Sequence, residues 1–142
     1  MRFMMLMIPK GYEKAEPGTM PDAEAVAAMM KYNEALQKAG VLLTLDGLHP
    51  PSVGARVSFA GGKPQVTDGP FIETKEVLGG YWMIQVKSRE EAIQWAKRCP
   101  ASDNEVIEVR QVQEFSDFPA DVQEAAAGFP EMQAQSAQGK GS

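Results

Sequence analysis

Hydrophobic positions along this chain fall into short runs separated by two longer helical patterns. Residues 3–8 place Phe3, Met5 and Met7 on one face of an extended strand and Met4, Leu6 and Ile8 on the other. Side chains alternate across a strand, so both faces of this one are apolar and both need cover. After a loop rich in Gly, Pro and charge, residues 21–39 predict a helix. Ala25, Met29, Tyr32, Leu36 and Ala39 recur at alternating four- and three-residue spacing, one stripe that Val26 and Met30 widen. Thr19 with Asp22 predicts a capping-box-like start, and Pro21 suits a first turn. Gly40 stands where a left-handed C-terminal cap belongs. Residues 41–46 predict a second strand. Residues 55–59 and 64–67 predict a hairpin turning at Ala60, Gly61 and Gly62. Residues 80–87 are again a strand largely apolar on both faces. Ser88 with Glu91 is a capping box that opens a second helix, with Ala92, Trp95, Ala96 and Cys99 as its buried stripe and Pro100 as its stop. Residues 105–112 are the last strand. Ile107 and Val109 share one face; the other mixes Val106 and Val112 with Glu108 and Arg110.

The order is β-α-β, an inserted hairpin, then β-α-β. It predicts an α+β, ferredoxin-like antiparallel sheet with two helices on one face. The strands at 3–8 and 80–87 are then the central ones. The helices cover one sheet face only, so a second copy packing sheet to sheet is the expected cover, giving a homodimer with a dimeric α+β barrel. Residues 1–115 form this domain. Residues 116–142 form a C-terminal extension: a short helix over 121–127, held by Phe118, Val122 and Phe129, then a flexible tail. Removing 133–142 is expected to leave fold and dimer intact.

Composition narrows the partners. The chain has 142 residues, a length that fits one domain. Its formal net charge is -5 with no basic block, which counts against nucleic acid or an anionic membrane. The single Cys excludes an intramolecular disulfide and fits a reducing, cytoplasmic setting. The single His excludes any site needing two imidazoles. The apolar start ends at Pro9 with no small-residue cleavage site, and it is far shorter than the ~20 residues that span a bilayer. It reads as a strand rather than a signal peptide.

Asp68-Gly69-Pro70-Phe71, then Glu73, Lys75-Glu76 and Leu78-Gly79-Gly80-Tyr81, resemble the hallmark of the YCII-related family, in particular its DGPF branch. Gly47-Leu48, the pairs Glu91-Ala92 and Trp95-Ala96, and Glu108-Val109-Arg110 add to the resemblance, which covers residues 1–115. It implies the ferredoxin-like fold and the dimeric barrel, without a well-defined reaction. Some smaller YCII-like proteins carry a His-Asp pair proposed as catalytic, and a dehydrochlorinase is related. Genes of the DGPF branch often neighbour those of alternative sigma factors, which implies a link to stress signalling. The 116–142 extension departs from the family.

Three readings follow, the third being a structural dimer with no ligand. The first is a small-molecule binding or regulatory protein. The second is a cofactor-independent enzyme with acid-base chemistry of the lyase, isomerase or dehydrochlorinase kind. In the second, Asp68 held in a Gly-Pro turn orients His49 or accepts a proton, and His49 is the general base. Asp68 is in any case a turn residue bonding its own backbone, and the alternative for His49 is an exposed turn residue. A pocket beside the 68–71 turn is expected to be lined by Asp68, Phe71, Tyr81 and Arg110, with His49 near its mouth. Arg110 either pins a small anionic ligand or pairs with Asp68, Glu73 or Glu76. Cys99 with His49 makes no zinc site, because the other ligands are missing, so no metal is expected. Cys99 and the nine Met residues read as core.

Overall fold

Strand β1 (Arg2–Ile8) buries every second side chain, Phe3, Met5 and Met7, and leaves the alternate ones half-buried. This is the pleat at work on a strand that is apolar on both sides. The structure is a computed structural model that describes residues 1–71 and 73–129. Helix α1 spans Ala23–Lys38, β2 Leu42–Gly47, β3 Ala55–Ala60, β4 Lys63–Asp68, β5 Gly80–Gln85, α2 Arg89–Lys97, β6 Val106–Gln111 and α3 Ala120–Ala126. The main sheet runs β2-β5-β1-β6, all antiparallel, while β3 and β4 pair only with each other. The two strands read as central, β1 and β5, are central. This order is consistent with a ferredoxin-like α+β fold.

One core forms on one sheet face. Phe3, Met5, Met7, Trp82 and Ile84 meet Tyr32 and Leu36 of α1 and Ala92 of α2. Tyr32 stands edge-on to Trp82 with ring centroids 5.6 Å apart, and its hydroxyl donates to the Trp95 carbonyl at 2.7 Å. The Trp82 indole N–H donates to Asn33 Oδ1 at 2.7 Å. Both polar tips are therefore satisfied inside an apolar layer, as buried Tyr and Trp require. Ile107 and Val109 of β6 complete the layer.

Two details depart from the sequence reading. The cap of α1 is Asp22, whose Oδ1 accepts the Ala25 N–H at 2.8 Å. Thr19 instead bonds back to the Glu16 carbonyl, so Pro21 lies before the helix. Only Met29, Tyr32 and Leu36 of the α1 stripe reach the core. Ala25 and Ala39 are exposed, as are Val26 and Met30. A 16-residue helix is about 24 Å long, and its first turns run past the buried layer. For α2, Ser88 Oγ accepts the Glu91 N–H at 3.1 Å, as expected of the cap. Helix α3 overlaps the expected stretch, beginning and ending one residue earlier, but Val122 and Phe129 are exposed and only Phe118 is half-buried. The 133–142 tail lies outside the described residues.

The helix-free face carries Met4, Leu6 and Ile8 of β1, Tyr81 and Met83 of β5, and Val106, Glu108 and Arg110 of β6, by register. At one margin Arg2 grips Glu114 through two bonds, Nε to Oε1 at 2.7 Å and Nη2 to Oε2 at 3.1 Å.

Candidate functional site at the loop end of the sheet

The end of the sheet where β1 and β2 finish and β5 begins is held together by close backbone approaches. Gly69 stands against the turn at 51–54: its N–H donates to the Gly54 carbonyl at 2.9 Å, and a β-carbon on it would lie 1.7 Å from the Pro51 oxygen. Gly79 lies under Pro9, where a β-carbon would come within 2.7 Å of the ring. Gly80 faces Asp46, where the corresponding approach to the carbonyl oxygen is 2.8 Å. Three glycines of the 68–81 motif are thus places where only hydrogen fits. Hydrogen bonds knit the same layer, from Leu48 N–H to the Gly79 carbonyl at 2.9 Å and from Gly79 N–H to the Met7 carbonyl at 2.8 Å. Pro50 and Val77 are buried beneath it.

Two single-turn helices pack face to face here, Tyr12–Lys14 and Pro51–Val53. The Tyr12 hydroxyl donates to the Leu48 carbonyl at 2.5 Å, and burial raises its pKa above the usual phenol value. In these two turns Glu13 Oε2 and Ser52 Oγ are buried without a hydrogen-bond partner. Buried polar atoms are ordinarily paired, and each unpaired one carries a desolvation cost.

The residues singled out from sequence fall into two groups. His49 and Asp68 are exposed and border this junction, His49 just before Pro50 and Asp68 just before Gly69. They share no hydrogen bond. Phe71 lies in the following turn, beyond a cis Gly69-Pro70 peptide, under the Arg56 guanidinium at 4.1 Å from the ring centroid. Arg56 Nη1 also donates to Thr74 Oγ1 at 2.8 Å.

Tyr81 and Arg110 belong instead to the helix-free sheet face. The Tyr81 hydroxyl donates to Asp46 Oδ2 at 2.8 Å, and that bond raises the phenol pKa. Arg110 Nη1 pairs with Glu108 Oε2 at 3.1 Å, a neighbour two residues away on its own strand face, rather than with Asp68, Glu73 or Glu76. The guanidinium beside the 68–71 turn is Arg56. A shallow depression lined by Gln111, Val112, Gln113 and Asp117 lies at the opposite end of the sheet, where Gln111 pairs with Phe3. Among the described residues no group of His, Cys, Asp and Glu is arranged to hold a metal ion, and no helix is long and apolar enough to cross a membrane.

Sequence reasoning missed Glu13, Ser52 and Arg56. The turn around Pro50-Pro51 was legible, but nothing in the residue spacing says that 12–14 docks on it. Arg56 was hidden for the same reason, since the tilt of the hairpin towards its own turn is a tertiary matter.

The molecule is an α+β protein with a four-stranded antiparallel sheet, one helix-covered face and a loop-end cluster of buried and exposed polar groups. Residues 1–116 match the YCII-related domain, and the chain belongs to that family. A protein of Rhizobium meliloti (strain 1021), described as Uncharacterized protein R00369, is 38% identical over 71 residues, which are 50% of this chain and 54% of that protein. The chain thus spans about half the length of that relative.

Proposed function

We propose that this chain is a cytoplasmic small-molecule binding or regulatory protein of the DGPF branch, working as a homodimer, with its ligand site at the junction of 12–14, 48–54 and 68–74. The observation that carries this is the pair of buried, unpartnered oxygens, Glu13 Oε2 and Ser52 Oγ, behind the exposed His49 and Asp68. In this reading the 12–14 and 51–53 turns part to admit a ligand, whose hydroxyl or amine groups then donate to this carboxylate and hydroxyl. Arg56, with one N–H on Thr74, keeps further donors for an anionic group. The ligand is therefore a small anion that also carries hydrogen-bond donors. The helix-free face, apolar at Met4, Leu6, Ile8 and Met83, is covered by a second copy in this reading. Residues 1–115 act as the domain and the remainder as an extension. A link to stress or sigma-factor signalling rests on family resemblance alone.

The enzyme alternative keeps one observation in its favour. The Gly69–Pro51 contact brings together the segments that carry Asp68 and His49, and in this reading the two side chains turn towards each other around a bound substrate. Thermal-shift measurements with a panel of small hydroxy acids, amino acids and sugar phosphates separate the readings. Binding predicts a raised melting temperature with one chemical class, lost in Ser52→Ala and Glu13→Gln. Consumption of the same compound, abolished by His49→Ala, would support the enzyme reading instead. No stabilisation by any class would contradict the site.

A further inference from the structure

The β3–β4 hairpin has the pattern of a buried element and the surroundings of an exposed one. Among the described residues its strands pair with nothing else, and every residue in both is exposed. The register sets Val57 opposite Val66 and Phe59 opposite Pro64, so these four share one face. Arg56, Ser58, Gln65 and Thr67 occupy the other. Phe59 is 78% exposed, Val66 69% and Val57 52%. A two-stranded hairpin is marginal in water by itself, and such alternation marks a strand with one buried face.

The chain's own body lies on the wrong side to supply that cover. Arg56, from the polar face, is the residue that reaches Phe71 and Thr74. The hairpin leans its polar face on its own loop and leaves its apolar face free. The hairpin leaves the sheet after Gly47, and the chain rejoins it at Gly80. That is the same end at which Val106, 49% exposed, opens the helix-free face. Leu48 and Leu78, each 43% exposed, lie in the connections between the two surfaces.

Area also calls for more than the sheet face. Four strands of six or seven residues outline a face of roughly 20 by 20 Å, or about 400 Å² in plan. A stable interface takes about 800 Å² of accessible surface from each partner. The hairpin, with half as many strands, adds about 200 Å² in plan, and the roughly 600 Å² of sheet and arm together, whose side chains raise its accessible surface above its plan area, comes nearer that requirement than the sheet alone.

We propose that the apolar face of the β3–β4 hairpin packs against a second copy of this chain, as an arm continuous with the sheet-face interface. This rests on the homodimer proposed above. Two-fold symmetry uses the arm twice, once from each copy.

Sedimentation equilibrium on the full chain tests it, with circular dichroism on each variant. The wild type is expected to be a dimer at micromolar concentration. Val57→Glu/Phe59→Glu places charges on side chains exposed in a single copy, so the spectrum is expected to be retained. Its dimer dissociation constant is expected to rise by about tenfold or more. Amide exchange of residues 55–68 in the wild type is expected to slow as concentration brings the dimer together, a readout that needs no variant. A monomeric wild type would overturn both the dimer and the arm. A dimer that Leu6→Glu splits, but that the hairpin variant leaves unchanged with 55–68 exchanging equally fast at every concentration, would overturn the arm alone.

Discussion

Gly69 rests against the Pro51 carbonyl so closely that a β-carbon would stand 1.7 Å from its oxygen. The obstruction is backbone, so no rotamer change relieves it. Gly69→Ala must separate the 68–71 turn from the 51–54 turn and break the Gly69 to Gly54 hydrogen bond. The expected cost is about 3 kcal/mol or more, in the range of severe overpacking. Gly54→Ala meets the same carbonyl at 3.5 Å, an ordinary contact, and is expected to cost less than about 1 kcal/mol. Urea denaturation of the two variants checks the contrast.

Arg2 and Glu114 form the most enclosed ion pair among the described residues, with side chains 12% and 11% exposed. The bond raises the Arg2 pKa further, so the guanidinium stays charged at any ordinary pH. Glu114 also anchors the turn after β6, where its N–H donates to Asp117 Oδ2 at 2.7 Å. Removing one partner leaves a charge enclosed without its counterion. Arg2→Met or Glu114→Gln is expected to destabilise by about 2–4 kcal/mol, and the double variant by clearly less than the sum. Equilibrium unfolding of the three proteins measures the coupling; additive costs would show the pair to be inconsequential.

Cys99 gives a pH test. Burial, and then the Glu105 charge, push its thiol up to about 11, so the folded chain holds the proton longer than the unfolded chain does. The unfolded thiol ionises from about pH 8.5 upward. Between there and about 11 the folded state binds more protons, and stability falls as pH rises. Because Cys99 is only half-buried, the loss is expected to be about 1 kcal/mol rather than the full value of the shift. Cys99→Ala should flatten this alkaline decline. The alkylation rate of the folded protein should climb with a midpoint near 11; a midpoint below 9 would refute the burial argument.

Local patterns were legible where one interaction decides them. Gly61 and Gly62 turn the hairpin with φ of 59° and 77°, and Ser88 caps its helix, because turn and cap chemistry lie within a few residues. The central strands were legible because only they are apolar on both faces. The α1 stripe was over-read, since periodicity tells which side of a helix is apolar but not how far the sheet beneath extends. Arg110 shows a signal that was available: Glu108, two residues away, must share its strand face. Arg2 with Glu114, the 12–14 turn with the 51–53 turn, and Arg56 with Phe71 join distant segments, and nothing in residue spacing announces such contacts.

Amide chemical-shift mapping tests the ligand site most directly. The full chain is titrated with lactate, glycerol phosphate and inorganic phosphate as separate probes. Saturable shifts are expected, centred on Glu13, His49, Ser52, Arg56 and Gly69, larger for the probes that carry hydroxyl groups than for inorganic phosphate, and lost in Ser52→Ala. Shifts confined to Arg110 and the helix-free face, or no saturable shift with any probe, would contradict the site.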